Sequence, residues 1–283
     1  GSVTVNAAGY SDSTVRLETG DGDVRASFEE LGELNMRTGD GSVEASLSGD
    51  VRGRVEISTG DGGATFTGAN VGSLEARSGS GSVTVNCANI DDAAEIASDD
   101  GEATINCSDV GSLGARSGSG RVLANGGSVA GGAELSSDDG AVTLNLTSAG
   151  SVALRSGSGS VLANVGSTDD AIDVTTDDGD AAVNIDSAHS VRAQTGAGKV
   201  EARIKEYADS IDLTTDDGEV RLTIPEAFAC SIEARTDDGR VIVEGSLDEG
   251  AETSDGSLTA TRNGGGARVL LHAGGGNITI SVD

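Results

Sequence analysis

Leu74-Glu75-Ala76-Arg77-Ser78-Gly79-Ser80-Gly81-Ser82-Val83-Thr84-Val85-Asn86 sets two alternating stretches on either side of a four-residue turn. Leu74/Ala76 and Val83/Val85 are the apolar members, and polar residues fall between them. Period-two alternation is the signature of a strand with one buried face. Each stretch is four or five residues long, which suits short strands and is too short for helices.

The same phrase recurs throughout the 283 residues. Gly22, Gly41, Gly62, Gly81, Gly101, Gly120, Gly140, Gly159, Gly179, Gly198, Gly218 and Gly239 mark successive turns. Gly1, Gly256 and Gly276 extend the series, and the spacing stays between 17 and 21 residues. A fixed period of this size means one small unit stacked on copies of itself.

Two all-β architectures use such a unit. In a β-solenoid each coil of about 20 residues pairs in parallel with the next. In a β-propeller or antiparallel meander the unit is about 40 residues. A 39-residue super-period is also present, because Ser-Gly-Ser-Gly turns alternate with Ser-Asp-Asp-Gly or Thr-Asp-Asp-Gly turns. A column of asparagines favours the solenoid. Asn86, Asn106, Asn125, Asn145, Asn164 and Asn184 each follow a turn glycine by five residues, and in-register stacking lets identical amides bond in a ladder. The apolar positions agree. Leu74/Ala76 is followed by Ala94/Ile96, Leu113/Ala115 and Ala133/Leu135, so large and small residues swap places and stacked coils can interdigitate. The expectation is a single β-solenoid repeat domain over residues 1–283.

Composition fits a narrow interior. With 44 Gly, 3 Phe, 2 Tyr and no Trp, the chain has few bulky side chains. Pro225 falls after a strand, where a missing N–H is tolerated. The net charge is −29, with 47 Asp and Glu, and the two lysines are Lys199 and Lys205. Such self-repulsion costs less where salt shortens the screening length to about 3 Å, so the composition reads as adaptation to high salt. No basic stripe is present to neutralise phosphates, and nucleic acid is not expected as a partner. Neither a signal peptide nor an apolar run long enough to span a membrane is read in the chain.

Thr-Gly-Asp-Gly-Asp-Val (19–24), Thr-Gly-Asp-Gly-Ser-Val (38–43) and Ser-Gly-Ser-Gly-Ser-Val (78–83), each after an alternating strand, resemble the adhesin-type β-strand repeat family, domain of unknown function 4097. The resemblance spans essentially the whole chain. It implies a β-solenoid on secreted or envelope-associated prokaryotic proteins and an adhesive or structural role. It brings no catalytic motif, and it leaves the alternation of Ser-Gly and Asp-Asp turns unexplained.

The paired acids are the strongest candidates for chemistry. Asp99 and Asp100, Asp138 and Asp139, Asp177 and Asp178, and Asp216 and Asp217 recur in alternate units, and Asp237 and Asp238 come one unit later. Stacking would align them along one edge, where carboxylates and turn carbonyls are hard ligands suited to calcium. The competing reading is turn chemistry, since Asp and Gly are good turn formers. Arg77, Arg116 and Arg155, before the intervening turns, are placed to neutralise Asp pairs on adjacent coils. Cys87 and Cys107 occupy equivalent positions about 5 Å apart in a stack, which fits a disulfide or two buried thiols. Cys230 reads as core.

Catalysis has little support. His189 and His272 are the two histidines and read as solvated or packed. Tyr10 and Tyr207 make a poor platform for a sugar, and no histidine is positioned to activate a turn serine. An ice-binding plane is also disfavoured, because the outward column Thr84, Thr104, Leu123, Thr143, Leu162, Ala182 is irregular. The expected role is a non-catalytic extracellular structural or adhesive rod without a cofactor, a subunit of surface filaments joined end to end or a ligand of a cell-surface receptor. The alternative is a calcium-dependent binding or assembly module using the Asp edge. The opening segment Gly1–Asn6 and the closing segment Gly276–Asp283 both read as open coils.

Overall fold

Alternating apolar residues fold here as parallel strands whose inward side chains meet across a narrow interior. The structure is a computed structural model that describes residues 1–8, 12–248, 252–254 and 256–283. Tyr10 lies outside the described residues. Strands are the only regular secondary structure among the described residues, and they fall into two units, Gly1–Ala141 and Val142–Asp283.

The first unit holds β1 (Val3–Ala7), β2 (Thr14–Glu18), β3 (Val24–Phe28), β4 (Glu33–Arg37), β5 (Val43–Leu47), β6 (Val51–Thr59), β7 (Ala64–Thr67), β8 (Asn70–Ser78), β9 (Val83–Ser98), β10 (Ala103–Ser117) and β11 (Val122–Ser137). Two parallel columns run through it. Strands before the turns stack as β2, β4, β6, β8 and then the second halves of β9 to β11. Strands after the turns stack as β1, β3, β5, β7 and then the first halves of β9 to β11. This is a parallel β-solenoid, as the asparagine column predicts, and parallel pairing between successive units excludes the meander.

Register confirms the core columns. Leu74 pairs with Ala94, Ala94 with Leu113, and Leu113 with Ala133, while Ala76, Ile96, Ala115 and Leu135 form the adjacent column. All eight side chains are buried. The 39-residue period has a plain cause. Coils ending in an Asp-Asp turn are 20 residues long, those ending in a Ser-Gly-Ser-Gly turn are 19, and register shifts after Val110 absorb the difference.

The second unit holds β12 (Val142–Ser156), β13 (Val161–Thr168), β14 (Ala171–Thr176), β15 (Ala181–Thr195), β16 (Val200–Thr215), β17 (Val220–Ile224), β18 (Cys230–Thr236), β19 (Val241–Glu244), β20 (Glu252–Ser254), β21 (Ser257–Arg262), β22 (Ala267–Ala273) and β23 (Ile278–Val282). Stacking is sequential from β12 to β17 and then departs from chain order. β16 and β17 pair with β22 and β23, whose other edges pair with β18 and β19. The closing coil is therefore interior to the stack. β18 is covered on its far edge by antiparallel β21, which pairs with β20.

Two sequence expectations do not hold. Gly276–Asp283 is not an open coil, because β23 hydrogen-bonds on both edges. Gly256 is not a coil turn. It lies between β20 and β21 with φ +78°, a left-handed conformation suited to a hairpin and open to glycine without strain.

Candidate functional site

The recurring chemistry sits along the turn edge, and most of it joins one coil to the next. Three residues before each turn glycine from Gly41 to Gly239 stands a buried hydroxyl: Thr38, Thr59, Ser78, Ser98, Ser117 and Ser137 in the first unit, and Ser156, Thr176, Thr195, Thr215 and Thr236 in the second. Ser117 Oγ donates to the Gly101 carbonyl of the preceding coil at 2.8 Å and accepts the Gly120 N–H of its own turn at 2.8 Å. Ser78, Ser98 and Ser137 repeat both bonds. Thr176 and Thr215 do so in the second unit. The hydroxyl satisfies a buried donor and a buried acceptor at once, each costly to leave unpaired.

The turn glycines are required by proximity. A Cβ on Gly81 would stand 2.2 Å from the Gly62 carbonyl oxygen, and φ there is not in the left-handed region. Successive turns touch backbone to backbone, which no side chain permits.

The Asp pairs follow a second rule. The amides of Asp99 and Asp100 both donate to Gly79 O, at 2.9 and 3.0 Å. Asp138 and Asp139 rest in the same way on Gly118, Asp177 and Asp178 on Gly157, and Asp216 and Asp217 on Gly196. Asp238 rests on Gly274. Their side chains are exposed. Each Asp turn therefore sits on a turn with glycine two places before its end, and like turns recur about 9 to 10 Å apart.

That spacing bears on the calcium expectation. No three His, Cys, Asp or Glu side chains among the described residues gather as a metal-binding group. Asp99, Asp100, Asp138, Asp139, Asp177, Asp178, Asp216 and Asp217 thus stand as four separate pairs and do not converge on a shared centre. Within each unit the physical reason is the intervening glycine turn, which holds one Asp pair two coils from the next, whereas calcium takes six to eight oxygens at about 2.3–2.6 Å. What the Asp backbones do in this geometry is hydrogen-bond the coil beneath.

Arg77 does not neutralise an Asp pair. It bonds Glu75 on its own strand and reaches Glu95 of the next coil at 3.5 Å. Residues two apart share a strand face and residues in register share a column, whereas the Asp pairs lie around the corner in the turn. Arg116 is in register with Ala97 and Ser136, and Arg155 with Thr175, on the strands that lead into the turns.

The asparagine ladder is present in each unit. Asn106 donates to Asn86 at 2.9 Å and Asn125 to Asn106 at 2.8 Å. Asn164 donates to Asn145 at 2.7 Å and Asn184 to Asn164 at 2.8 Å. Cys87 and Cys107 are joined as a disulfide with Cα atoms 4.9 Å apart. Cys230 is a buried free thiol, and burial pushes its pKa up to about 11, with Asp248 raising it further and Arg262 opposing.

One cluster escaped the sequence reading. His189 Nδ1 lies 2.7 Å from Asp209 Oδ2, and the Tyr207 hydroxyl donates to the same carboxylate. Tyr207 and Asp209 share an outward strand face, and His189 lies on the neighbouring strand β15, between the register pairs Ala188↔Ala208 and Ser190↔Ser210; the spacing from 189 to 209 is one coil period, the signal in the sequence that could have found the pair. The pair is exposed, so water screens it.

The stacked Gly-Asp-Gly and Ser-Gly turns are matched by a known family. The Toastrack DUF4097 family model matches residues 1–122 and 107–281. The chain belongs to the Toastrack DUF4097 family. No curated protein and no solved structure matches it. The Toastrack turn is thus the unit in which this chain's recurring Gly, Asp and Ser/Thr residues act together. No helix long and apolar enough to cross a membrane occurs among the described residues.

Proposed function

We propose that this Toastrack chain is a non-catalytic structural or adhesive element of the cell exterior, acting through its stacked coils and exposed acidic surface. The observation that carries the reading is the fate of its repeated polar groups. The hydroxyls at Ser78, Ser98, Ser117 and Ser137 bond between coils, and the asparagine amides do the same. The residues that repetition selects serve cohesion, and the recurring charged side chains left exposed at the turns are the Asp pairs. A Cys87–Cys107 disulfide supports an oxidising compartment. The net charge of −29 supports a high-salt medium. The partners that fit are further copies of the chain or a cell-surface receptor.

Negative-stain electron microscopy of the purified protein in molar salt, with calcium and then with chelator, tests the assembly role. Ordered filaments are the expected result. Uniform single particles under both conditions overturn it, and filaments that dissolve in chelator assign calcium to the Asp turns.

A further inference from the structure

The out-of-order coil at the end of the second unit obeys the rule that governs the turns. In chain order, the turn of Asp216 and Asp217 is followed directly by the turn of Asp237 and Asp238. In space, the Ala273-Gly274-Gly275-Gly276 turn lies between them. The Gly274 amide donates to Thr215 O and the Gly275 amide to Asp216 O, while Asp237 and Asp238 donate to Ala273 O and Gly274 O. The inserted coil restores a glycine turn between two Asp turns. It also forms complete ladders on both sides, from Ser210↔Arg268 to Thr215↔Ala273 and from Cys230↔Ala267 to Thr236↔Ala273. Val269, Leu271, Ile278 and Ile280 fill the interior at this level.

The tether to this coil differs from the other connections. Asn263, Gly264 and Gly265 have φ of 51°, 79° and 83°, and Asn263 is the one non-glycine with positive φ among the described residues. The chain up to this point is anchored. Buried Arg262 donates to Glu226 O at 2.6 Å, and Asn263 Nδ2 donates to Glu226 O at 3.0 Å and Phe228 O at 3.1 Å. Beyond the anchor come Gly264, Gly265 and Gly266, and then the coil.

We propose that residues 267–283 are an exchangeable donor coil, and that the slot between the Asp216 and Asp237 turns accepts the same coil from a second copy of the chain. Selection is by turn type. A Cβ at position 274 would stand 2.0 Å from Asp216 O, so only a glycine turn enters. Direct closure of the slot would set two Asp turns in register about 5 Å apart, with like charges facing. Each copy contributes one slot and one coil, so reciprocal exchange closes a twofold dimer. The proposal stands whether or not the chain is a scaffold.

Thr214 and His272 are register partners on β16 and β22 and face outward. Full-length Thr214→Cys and His272→Cys chains would be mixed, unfolded in denaturant without reductant, refolded together at high concentration and oxidised. A disulfide-linked heterodimer is expected, at twice the chain mass under non-reducing conditions. It should be lost when the His272→Cys chain also carries Gly274→Asp. Light scattering on the co-refolded unmodified chain supplies a readout free of cysteine chemistry, with a dimer fraction that grows with concentration. Monomers alone in both measurements overturn the exchange, and a heterodimer indifferent to Gly274→Asp overturns selection by turn type.

Discussion

A methyl group on Gly120 would stand 2.2 Å from the Gly101 carbonyl oxygen, with backbone as the obstacle. Gly120→Ala should therefore cost at least about 2 kcal/mol, the scale of forced overpacking, read as a lower denaturant midpoint. An unchanged midpoint would mean that the turns do not stack this closely. Ser117 is a milder test of the same edge. Ser117→Ala strands the Gly120 N–H and the Gly101 carbonyl and should cost about 1–3 kcal/mol, whereas Ser117→Thr should be tolerated, because Thr59 and Thr176 fill the column elsewhere. Cys230 adds a pH test. Its thiol pKa of about 11 lies above the ordinary value of 9.0 because burial disfavours the thiolate. The folded thiol should resist alkylation at about pH 8 until the protein unfolds. Where the unfolded thiol ionises and the folded one does not, stability falls. That loss is absent well below the ordinary value of 9.0 and grows as pH rises toward about 11.

At the scale of elements, the disulfide links β9 to β10 across a sequence separation of 20. Loop closure of that length gives about 3 kcal/mol in the chain-entropy account, and Cys87→Ala/Cys107→Ala should lower the denaturant midpoint accordingly. An unchanged midpoint would show that parallel pairing already holds both strands. The strands themselves were legible in the sequence. Alternation at Leu74/Ala76 and Val83/Val85 sets the faces, and recurrence of Asn86 at Asn106 and Asn125 sets parallel register. The hydroxyl ladder was visible as letters but carries no meaning there beyond turn serines, because a serine before a turn has a common local use and its bond to another coil exists only after stacking. The Asp pairs were equally visible, yet their distance from one another depends on the glycine turn stacked between them. The order of the last coils was hidden for a similar reason. Consecutive Asp turns at 216 and 237, followed by a glycine-only turn at 274–276, spell out the insertion once the rule that Asp turns rest on glycine turns is known. That rule is a contact between turns, with no trace in strand periodicity.

For the whole chain, the decisive quantity is the charge of −29 on 283 residues. The cations that oppose it are few, and several are already engaged. Arg54 and Arg77 bond Glu75, Arg25 lies 3.0 Å from Asp23, and Lys205 lies 2.6 Å from Asp186. Glu75 is half-buried between its two arginines, while the Arg25 and Lys205 pairs are exposed and contribute little, so the excess of carboxylates sets the response to salt. Unfolding moves those charges apart and relieves their repulsion, so low ionic strength favours the unfolded chain. Raising salt from about 0.05 M to about 2 M shrinks the screening length to a few ångströms and removes that advantage. If about 2 kcal/mol of repulsion is relieved, the melting temperature of a chain this size should rise by about 4–8 °C. Sodium chloride also strengthens apolar burial modestly, so the comparison that isolates charge is a variant carrying Asp91→Asn, Asp92→Asn, Glu134→Gln and Glu233→Gln, all exposed positions. The variant should gain less from salt than the parent and should start from a higher melting temperature at low salt. Equal salt responses in scanning calorimetry would sink the electrostatic account and would leave the acidic surface to solubility and partner choice alone.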